Sequence, residues 1–259
     1  MTAAAETIHL FYFSNYCEKV VWAIDHKALT IPKRHYLPFL HMRPLRKLSG
    51  QTSVPVLSIA DDAVAGSANI IDTLEARFGG ASLYPADSSE KTAALEWQTR
   101  LDDLGPTIRG ALFYDLIEDP NFMFRVLTTG RRGLGIRCYR LFFRAMFPML
   151  KKMLRENAPD PEHLRARTAA LLDEVNAAVN SNGYLVGDRF SIADLTAAAL
   201  LYPMFFPTGT PSANVIATGE AGQRWLSRWN DHPTKRYVAD IYERHRLPRT
   251  QGAAEQRMI

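Results

Sequence analysis

Cysteine is scarce in this chain, which has only Cys17 and Cys138 among its 259 residues. Two cysteines are too few for the disulfide framework of a small secreted protein or for a four-cysteine zinc site. Residues 1–7 contain neither the basic nor the apolar stretch of a secretory signal. We therefore expect a cytoplasmic protein that keeps its thiols reduced and binds no metal.

Long apolar segments are also missing. The longest stretch without a charged residue, 195–219, is interrupted by Pro203, Pro207 and Pro211, and its second half is rich in small polar residues. This pattern predicts a buried helix followed by a loop and does not favour a membrane-spanning helix. No internal repeat with a period of about 20 to 50 residues is present, which argues against a repeat architecture.

The net charge of +4 is distributed unevenly along the chain. Residues 121–156 contain nine basic residues and one acid, a net charge of +8, so the rest of the chain carries −4. We favour two helices around a turn, with apolar faces that complete the core and basic residues in solvent. Peripheral contact of 121–156 with a membrane surface and binding of an anionic ligand are the alternatives, and we expect no nucleic-acid partner.

Local patterns divide the chain into two domains. Strand patterns lie at 8–13, 32–37, 56–59 and 63–65, and helical patterns lie at 17–29 and after Ser67. Later segments are all helical: 90–117 with a kink at Gly105–Pro106, the pair in 121–156, 161–180, 191–203, 222–230 and 233–246. We predict an α/β domain over residues 1–80, a linker over 81–88 and an all-helical domain over 89–259.

The first chemical motif is Ser14-Asn15-Tyr16-Cys17, which follows a predicted buried strand and begins a helix. A helix N-terminus presents unpaired N–H groups and the positive end of the helix dipole, and both stabilise a thiolate. The Ser14 hydroxyl can donate a further hydrogen bond to such a thiolate. Alternatively, Ser14 is only the N-cap of the helix, and the local sequence by itself favours this simpler role.

Three other motifs are structural or ligand-binding candidates. Pro55 opens a strand, where it is either an ordinary strand-opening proline or part of a cis bond that turns the backbone of Val54 toward a ligand. Ser67 begins the next helix, where it and the following N–H groups can hold a carboxylate or simply cap the helix. Ser191 and Asp194 have the spacing of a capping box, so we interpret Asp194 as structural.

Together these motifs resemble the cytosolic glutathione transferase superfamily. The resemblance depends most on SVPVL at 53–57, before a serine-capped helix, and on LVGDRFSIADL at 185–195. It extends over about residues 8–246. It implies a thioredoxin-like N-terminal domain, an all-helical C-terminal domain, glutathione as co-substrate, and a homodimer that acts in detoxification. Serine at position 14 implies a serine-type member, of a bacterial type or similar to the zeta, theta or omega classes.

The resemblance also implies roles for individual residues. Ser14 matches the hydroxyl that stabilises the glutathione thiolate, and Tyr12 is the alternative. The residues implied to bind glutathione are Asn15, Val54, Pro55 as a cis-proline, Ser67 and Ala68. Cys17 matches the second cysteine of a C-P-Y-C motif whose first cysteine is serine in this chain, which argues against dithiol chemistry.

One departure from the family pattern and one open choice concern glutathione binding. Gly66 stands where the family usually has Glu, Asp or Gln, so one contact to the γ-glutamyl group is lost. Four basic residues are candidates for the glycyl carboxylate, and the sequence does not choose among them: His41, Arg43, Arg46 and Lys47.

The predicted reaction is attack of the glutathione thiolate on a small apolar electrophile. A charge-assisted hydrogen bond contributes about 1.5–3 kcal/mol and a helix N-terminus about 0.3–2 kcal/mol, which lowers the thiol pKa by about one to three units. Conjugation, reductive dehalogenation, ether cleavage and isomerisation all remain open. The candidates for the electrophile pocket between the domains are Arg109, Phe113 and Tyr114, followed by Tyr202, Phe205 and Phe206. For each of them, the sequence by itself favours the simpler role of packing in the helical core. The alternative function is a non-catalytic binding module or membrane-surface scaffold of the same fold.

Overall fold

The computed structural model describes residues 6–129, 131–156 and 160–246. The first elements are β1 (Thr7–Leu10), α1 (Asn15–His26), β2 (Lys33–His35), α2 (Met42–Ser49), β3 (Val56–Ile59), β4 (Asp62–Ala65) and α3 (Ser67–Arg77). They are followed by α4 (Ser88–Leu116), α5 (Pro120–Leu127), α6 (Leu134–Glu156), α7 (Pro161–Ala178), α8 (Ile192–Phe205), α9 (Ala213–Ile216), α10 (Glu220–Trp229) and α11 (Thr234–His245). This order confirms the predicted fold class, a small α/β part followed by helices.

The four strands form one mixed sheet in the order β2-β1-β3-β4. β1 is parallel to β2 and antiparallel to β3, and β3 is antiparallel to β4. α1 packs against both α3 and α8, so it contacts both parts of the protein. Its side chains Val20, Trp22 and Ile24 are fully buried, as the helical spacing of its apolar residues predicts.

Helix α8 is the centre of the helical part, and all of its residues are buried. The capping box predicted at its start is present: Ser191 Oγ accepts from the Ala193 N–H at 3.3 Å, and the Asp194 carboxylate accepts from the Ser191 N–H at 3.1 Å. Asp194 also accepts from the Leu185 N–H at 2.8 Å and from the Tyr237 hydroxyl at 2.9 Å. The carboxylate is therefore saturated with hydrogen bonds inside the core, which agrees with the structural role predicted for it.

Several segments differ from their sequence-based predictions. β1 ends at Leu10 and does not extend to residue 13. Helix α2 was not predicted, because Leu45 is its only buried residue and one buried residue leaves no apolar stripe to detect. The basic residues 121–156 lie in α5, α6 and the turn between them, as predicted. Helix α4 is one long helix with Pro106 inside it, and the kink at Gly105–Pro106 stays a prediction.

Side-chain contacts between α1 and α4 connect the α/β part to the helical part. The Lys19 ammonium lies 2.7 and 2.9 Å from the two carboxylate oxygens of Asp102 and is completely buried. The Tyr16 hydroxyl donates to the Asp102 carbonyl oxygen at 2.6 Å. Gly105 permits this approach, because a Cβ atom there would lie 2.1 Å from the Tyr16 hydroxyl. These contacts hold the N-terminus of α1 in a fixed position against α4.

Candidate active site

Three chain segments meet at one end of the sheet, where strands begin or end. Val56 pairs with His9 on β1 and with Ala65 on β4, and both pairings are antiparallel. The end of β1, the beginning of β3 and the end of β4 therefore lie together there. The loops there lead into the N-termini of α1 and α3, which brings the segments of Ser14, Val54 and Ser67 to the same end of the sheet.

Ser14 is the N-cap of α1, and its Oγ accepts from the Cys17 N–H at 3.3 Å. The cap uses a lone pair of the hydroxyl oxygen, so the hydroxyl hydrogen is available to another acceptor. The capping role and the proposed role as a donor to a thiolate are therefore compatible. Ser14 is half-buried and lines a cavity between the two parts of the protein.

Asn15 also lines this cavity. Its side-chain amide donates to the Leu200 carbonyl oxygen at 3.4 Å, and its side-chain oxygen accepts from the Tyr16 N–H at 3.0 Å. The N–H groups of Tyr16 and Cys17 are thus occupied by side-chain caps. In the first turn of α1 this leaves the Asn15 N–H without an intrahelical acceptor, and it is the group that Asn15 can offer to an anion.

Tyr12, the alternative to Ser14, lies elsewhere. Its ring centroid is 5.9 Å from that of His35, and it lines a small separate pocket together with Cys17. Cys17 is buried, and its Sγ accepts from the Phe11 N–H at 3.4 Å. The arrangement favours Ser14 over Tyr12 as the hydroxyl that faces the cavity.

The Val54–Pro55 peptide bond is cis, one of the two interpretations of this motif. Val54 lines the cavity, and the Pro55 carbonyl oxygen accepts from the Gly66 N–H at 3.3 Å. This hydrogen bond holds the start of α3 next to the Val54 segment. Pro55 itself is not among the residues that line the cavity.

Ser67 is the first residue of α3, and its interpretation as the N-cap was wrong because Gly66 occupies the cap position with φ of 91°. Glycine adopts this conformation without the steric cost that a side chain brings. The first backbone bond of α3 runs from the Ile70 N–H to the Gly66 carbonyl, so the N–H groups of Ser67 and Ala68 have no intrahelical acceptor. Ser67 is buried, and neither Ser67 nor Ala68 lines the cavity.

The cavity has a volume of about 540 Å³ and is walled by both parts of the protein. From the N-terminal part it is lined by Phe11, Phe13, Ser14, Asn15, Pro38, Phe39, His41, Met42, Thr52, Ser53 and Val54. The rest of the wall is formed by Ile108, Arg109, Leu112, Phe113, Leu116, Met123, Val126, Leu127, Met149, Leu150, Met153, Leu154, Tyr202, Pro203, Phe206, Ser212 and Ile216. Apolar side chains dominate this wall, and Arg109 contributes its one permanent positive charge.

The predicted pocket residues divide into two groups. Arg109, Phe113, Tyr202 and Phe206 line the cavity, whereas Tyr114 and Phe205 do not. The ring of Tyr114 instead lies below the guanidinium of Arg165, at 5.9 Å. Tyr202 also donates from its hydroxyl to the Phe13 carbonyl oxygen at 3.1 Å, directly before Ser14.

Of the four basic candidates for the glycyl carboxylate, only His41 lines the cavity. His41 lies at the N-terminus of α2, and its ring makes an edge-to-face contact with Phe11 at 4.6 Å. Burial lowers the pKa of His41. A hydrogen bond with the backbone of Leu37 partly opposes this effect. The Nδ1 atom of His41 is buried and lacks a hydrogen-bond partner within the described ranges.

Helices α5 and α6 contribute to the cavity wall, which the sequence did not predict. Met123, Met149 and Met153 all line it. The available signal was the mixture of apolar and basic residues in 121–156, for which we favoured core and solvated surface, with membrane contact or an anionic ligand as the alternatives. Methionine side chains adapt to ligands of different shape, which suits a substrate-binding wall.

Among the described residues, no cluster of histidine, cysteine, aspartate or glutamate has the arrangement of a metal site. No helix within these residues has the length and apolar character needed to cross a bilayer.

Two family models match the sequence. The model of the glutathione S-transferase N-terminal domain matches residues 8–82, and that of the C-terminal domain matches residues 139–233. No curated protein sequence is significantly similar to the chain.

Solved structures with the same fold are numerous. A possible glutathione S-transferase from Rhodopseudomonas palustris is 17% identical, with 89% of this chain and 96% of that one covered and a TM-score of 0.55. The beta-etherase LigF from Sphingobium sp. strain SYK-6 is 16% identical, with coverage of 92% and 99% and a TM-score of 0.59. A glutathione S-transferase from Methylobacillus flagellatus KT, solved with glutathione bound, is 15% identical, with coverage of 93% and 95% and a TM-score of 0.57. At these identities the likeness shows the fold alone. The two family models, which together match more than half of the chain, show that it belongs to the glutathione S-transferase family.

Proposed function

We propose that the protein is a glutathione transferase in which Ser14 stabilises the thiolate of bound glutathione. The observation that carries this proposal is the position of Ser14, whose Oγ caps α1 while the residue lines the cavity between the two parts of the protein. The Cys17 N–H fixes the oxygen, and the hydroxyl hydrogen remains to be donated to a sulfur anion. The Asn15 N–H and the dipole of α1 add favourable electrostatics at the same place.

The other proposed glutathione contacts lie at the same end of the sheet as Ser14. The backbone of Val54 is available to the cysteinyl part of the tripeptide, and the N–H groups of Ser67 and Ala68 are available to the γ-glutamyl carboxylate. Pro55 supports this arrangement through its hydrogen bond to Gly66. At the other end, His41 is the basic residue placed to meet the glycyl carboxylate.

In the proposed reaction, the thiol of bound glutathione first loses its proton to solvent. A lone pair of the sulfur then forms the new bond to an electrophilic carbon, and the leaving group departs from that carbon. The protein stabilises the anion by about one to three pKa units through the Ser14 hydrogen bond and the helix N-terminus. The apolar wall excludes water and favours a small apolar electrophile. Conjugation, reductive dehalogenation, ether cleavage and isomerisation are all compatible with this site, and the proposal includes a cytoplasmic homodimer.

Calorimetric titration with reduced glutathione across pH 6 to 9 tests the proposal. We expect wild type to bind with proton release and Ser14→Ala to lose most of that release. Ser14→Thr, which keeps both the hydroxyl and the cap, is the matched control and retains it. Turnover is followed with 1-chloro-2,4-dinitrobenzene as a general electrophile.

One feature favours the alternative of a non-catalytic module. Gly66 has no side chain to contact the γ-glutamyl group. If wild type produces no heat with millimolar glutathione, the transferase proposal is wrong and the binding-module alternative replaces it.

A further inference from the structure

The exposed large apolar side chains of the described chain are concentrated on one side of the molecule. Two of them, Leu40 and Met42, lie at the start of α2. The others lie on α6: Leu134, Leu141, Phe142, Met149 and Met153. Single exposed leucines are ordinary in soluble proteins, but a contiguous group marks an interaction surface.

The two locations form one surface. The ring of Phe142 is 6.1 Å from that of Phe39, and the Tyr139 hydroxyl donates to the Pro38 carbonyl oxygen at 3.2 Å. Residues 38–42 therefore lie against the first half of α6. We call the exposed side chains of Leu40, Met42 and the five α6 residues the apolar strip.

The apolar strip occupies one side of α6. With about 100° of rotation per residue, its five α6 members fall within an arc of roughly 120°. The last turn of α6 adds the exposed ion pair of Lys152 and Glu156 to the same arc. The opposite side is buried and includes Tyr139, Phe143 and Phe147. Leu134 and Leu141 are 75% and 74% exposed, so the strip is not covered by any part of the described chain.

Positive charge lies directly beside the apolar strip. Helix α6 carries six basic residues and one acid, a net charge of +5. Lys151 and Arg155 pair with Glu118 at 2.8 and 2.5 Å, whereas Arg137 and Arg144 have no ion-pair partner among the described residues. These two arginines fall next to the strip on the helix surface, at about 100° per residue.

We propose that α6 and the start of α2 dock on an anionic lipid surface. Apolar side chains next to unpaired arginines are the features by which an interfacial helix enters the headgroup region and attracts acidic lipids. A second copy of the chain fits less well, because a two-fold contact through α6 sets one helix of charge +5 against another. A nucleic acid fits less well because its phosphates would leave Leu134 and Leu141 uncovered.

Docking in this orientation would place the cavity next to the lipid surface. Met42, Met149 and Met153 belong to the apolar strip and also line the cavity. The mouth of the cavity then opens beside the lipid, and an apolar electrophile can enter from the bilayer. This consequence rests on the proposed function, whereas docking itself does not and is measured without glutathione.

The test is sedimentation of the full chain with vesicles. We expect binding to vesicles of phosphatidylcholine with about one third phosphatidylglycerol at low salt, and much weaker binding to pure phosphatidylcholine or at high salt. The variant R137Q/R144Q should weaken binding about 30-fold, since each basic residue near such a surface contributes about a factor of five. The variant L134S/L141S should weaken it at least about tenfold.

The matched control is R224Q/R236Q. It removes the same charge from exposed positions on α10 and α11, and it should bind the vesicles as wild type does. Equal circular dichroism spectra and urea midpoints show that the variants are folded.

Three results would overturn the proposal. The first is absence of binding to anionic vesicles at low salt. The second is equal weakening by the control, which would show that only net charge matters. The third is a dimer without vesicles that L134S/L141S dissociates, which would assign the apolar strip to a second copy of the chain.

Discussion

Replacing Asp102 by asparagine should destabilise the protein strongly. The change keeps the shape of the side chain but removes the counter-charge of Lys19, whose side chain has 0% exposure and lies 2.7 Å from the carboxylate. An ammonium left alone in the interior costs about 3–5 kcal/mol of the free energy of unfolding. Burial lowers the pKa of Lys19, because little water reaches its ammonium group. Without Asp102, water could therefore not replace the lost carboxylate.

The control for this prediction lies on the same helix. Arg100 pairs with Glu174, and these side chains are 55% and 36% exposed. Glu174→Gln should cost less than about 1 kcal/mol, because exposed ion pairs contribute little. The double variant K19M/D102L should recover most of the loss, since an apolar pair leaves no charge unpaired.

Urea unfolding at pH 7 measures all three free energies. An Asp102→Asn loss no larger than that of Glu174→Gln would show that Lys19 is solvated in the folded protein. The account of α1 as a rigidly fixed helix would then be wrong.

Three further predictions concern pH, packing and binding. Burial, and next to it the charge of Arg34, lowers the pKa of His9 from 6.5 to about 4. Between these two pH values the unfolded state binds a proton that the folded state does not. The free energy of unfolding should therefore fall by up to about 3 kcal/mol as the pH is lowered from 6.5 to 4. Urea unfolding of His9→Gln should show a correspondingly flatter pH dependence, and an unchanged slope would contradict this. Gly105→Ala should cost about 1–3 kcal/mol in the same assay, because the methyl group meets the Tyr16 hydroxyl; a neutral effect would exclude the close approach. His41→Ala should raise the calorimetric Kd for glutathione about tenfold or more, while Arg43→Ala should leave it unchanged; equal effects would remove His41 from the site.

Local sequence rules predicted much of the fold. The Ser191–Asp194 capping box and the start of α1 at Ser14 depend on residues close in sequence, so spacing was sufficient. Ser67 was misplaced by one position because glycine and serine are both favoured N-caps, and only the backbone φ of Gly66 distinguishes them.

Contacts between distant segments were not predictable in the same way. Phe113 and Tyr114 are neighbours in sequence, but successive helix residues differ by about 100°, so only one faces the cavity. Met149 reaches that wall only because α6 folds back over the N-terminal part. The local sequence pattern of residues 121–156 does not predict this packing of α6.

We propose above that Ser14 stabilises a thiolate at the N-terminus of α1. The most direct test is the pKa of the glutathione thiol in the complex, measured by thiolate absorbance in the ultraviolet as pH is raised. In wild type and Ser14→Thr we expect a thiol pKa about one to three units below that of free glutathione. In Ser14→Ala we expect this pKa to rise again by at least about one unit. A bound thiol that titrates as in free glutathione, or a lowered pKa unaffected by Ser14→Ala, would contradict it.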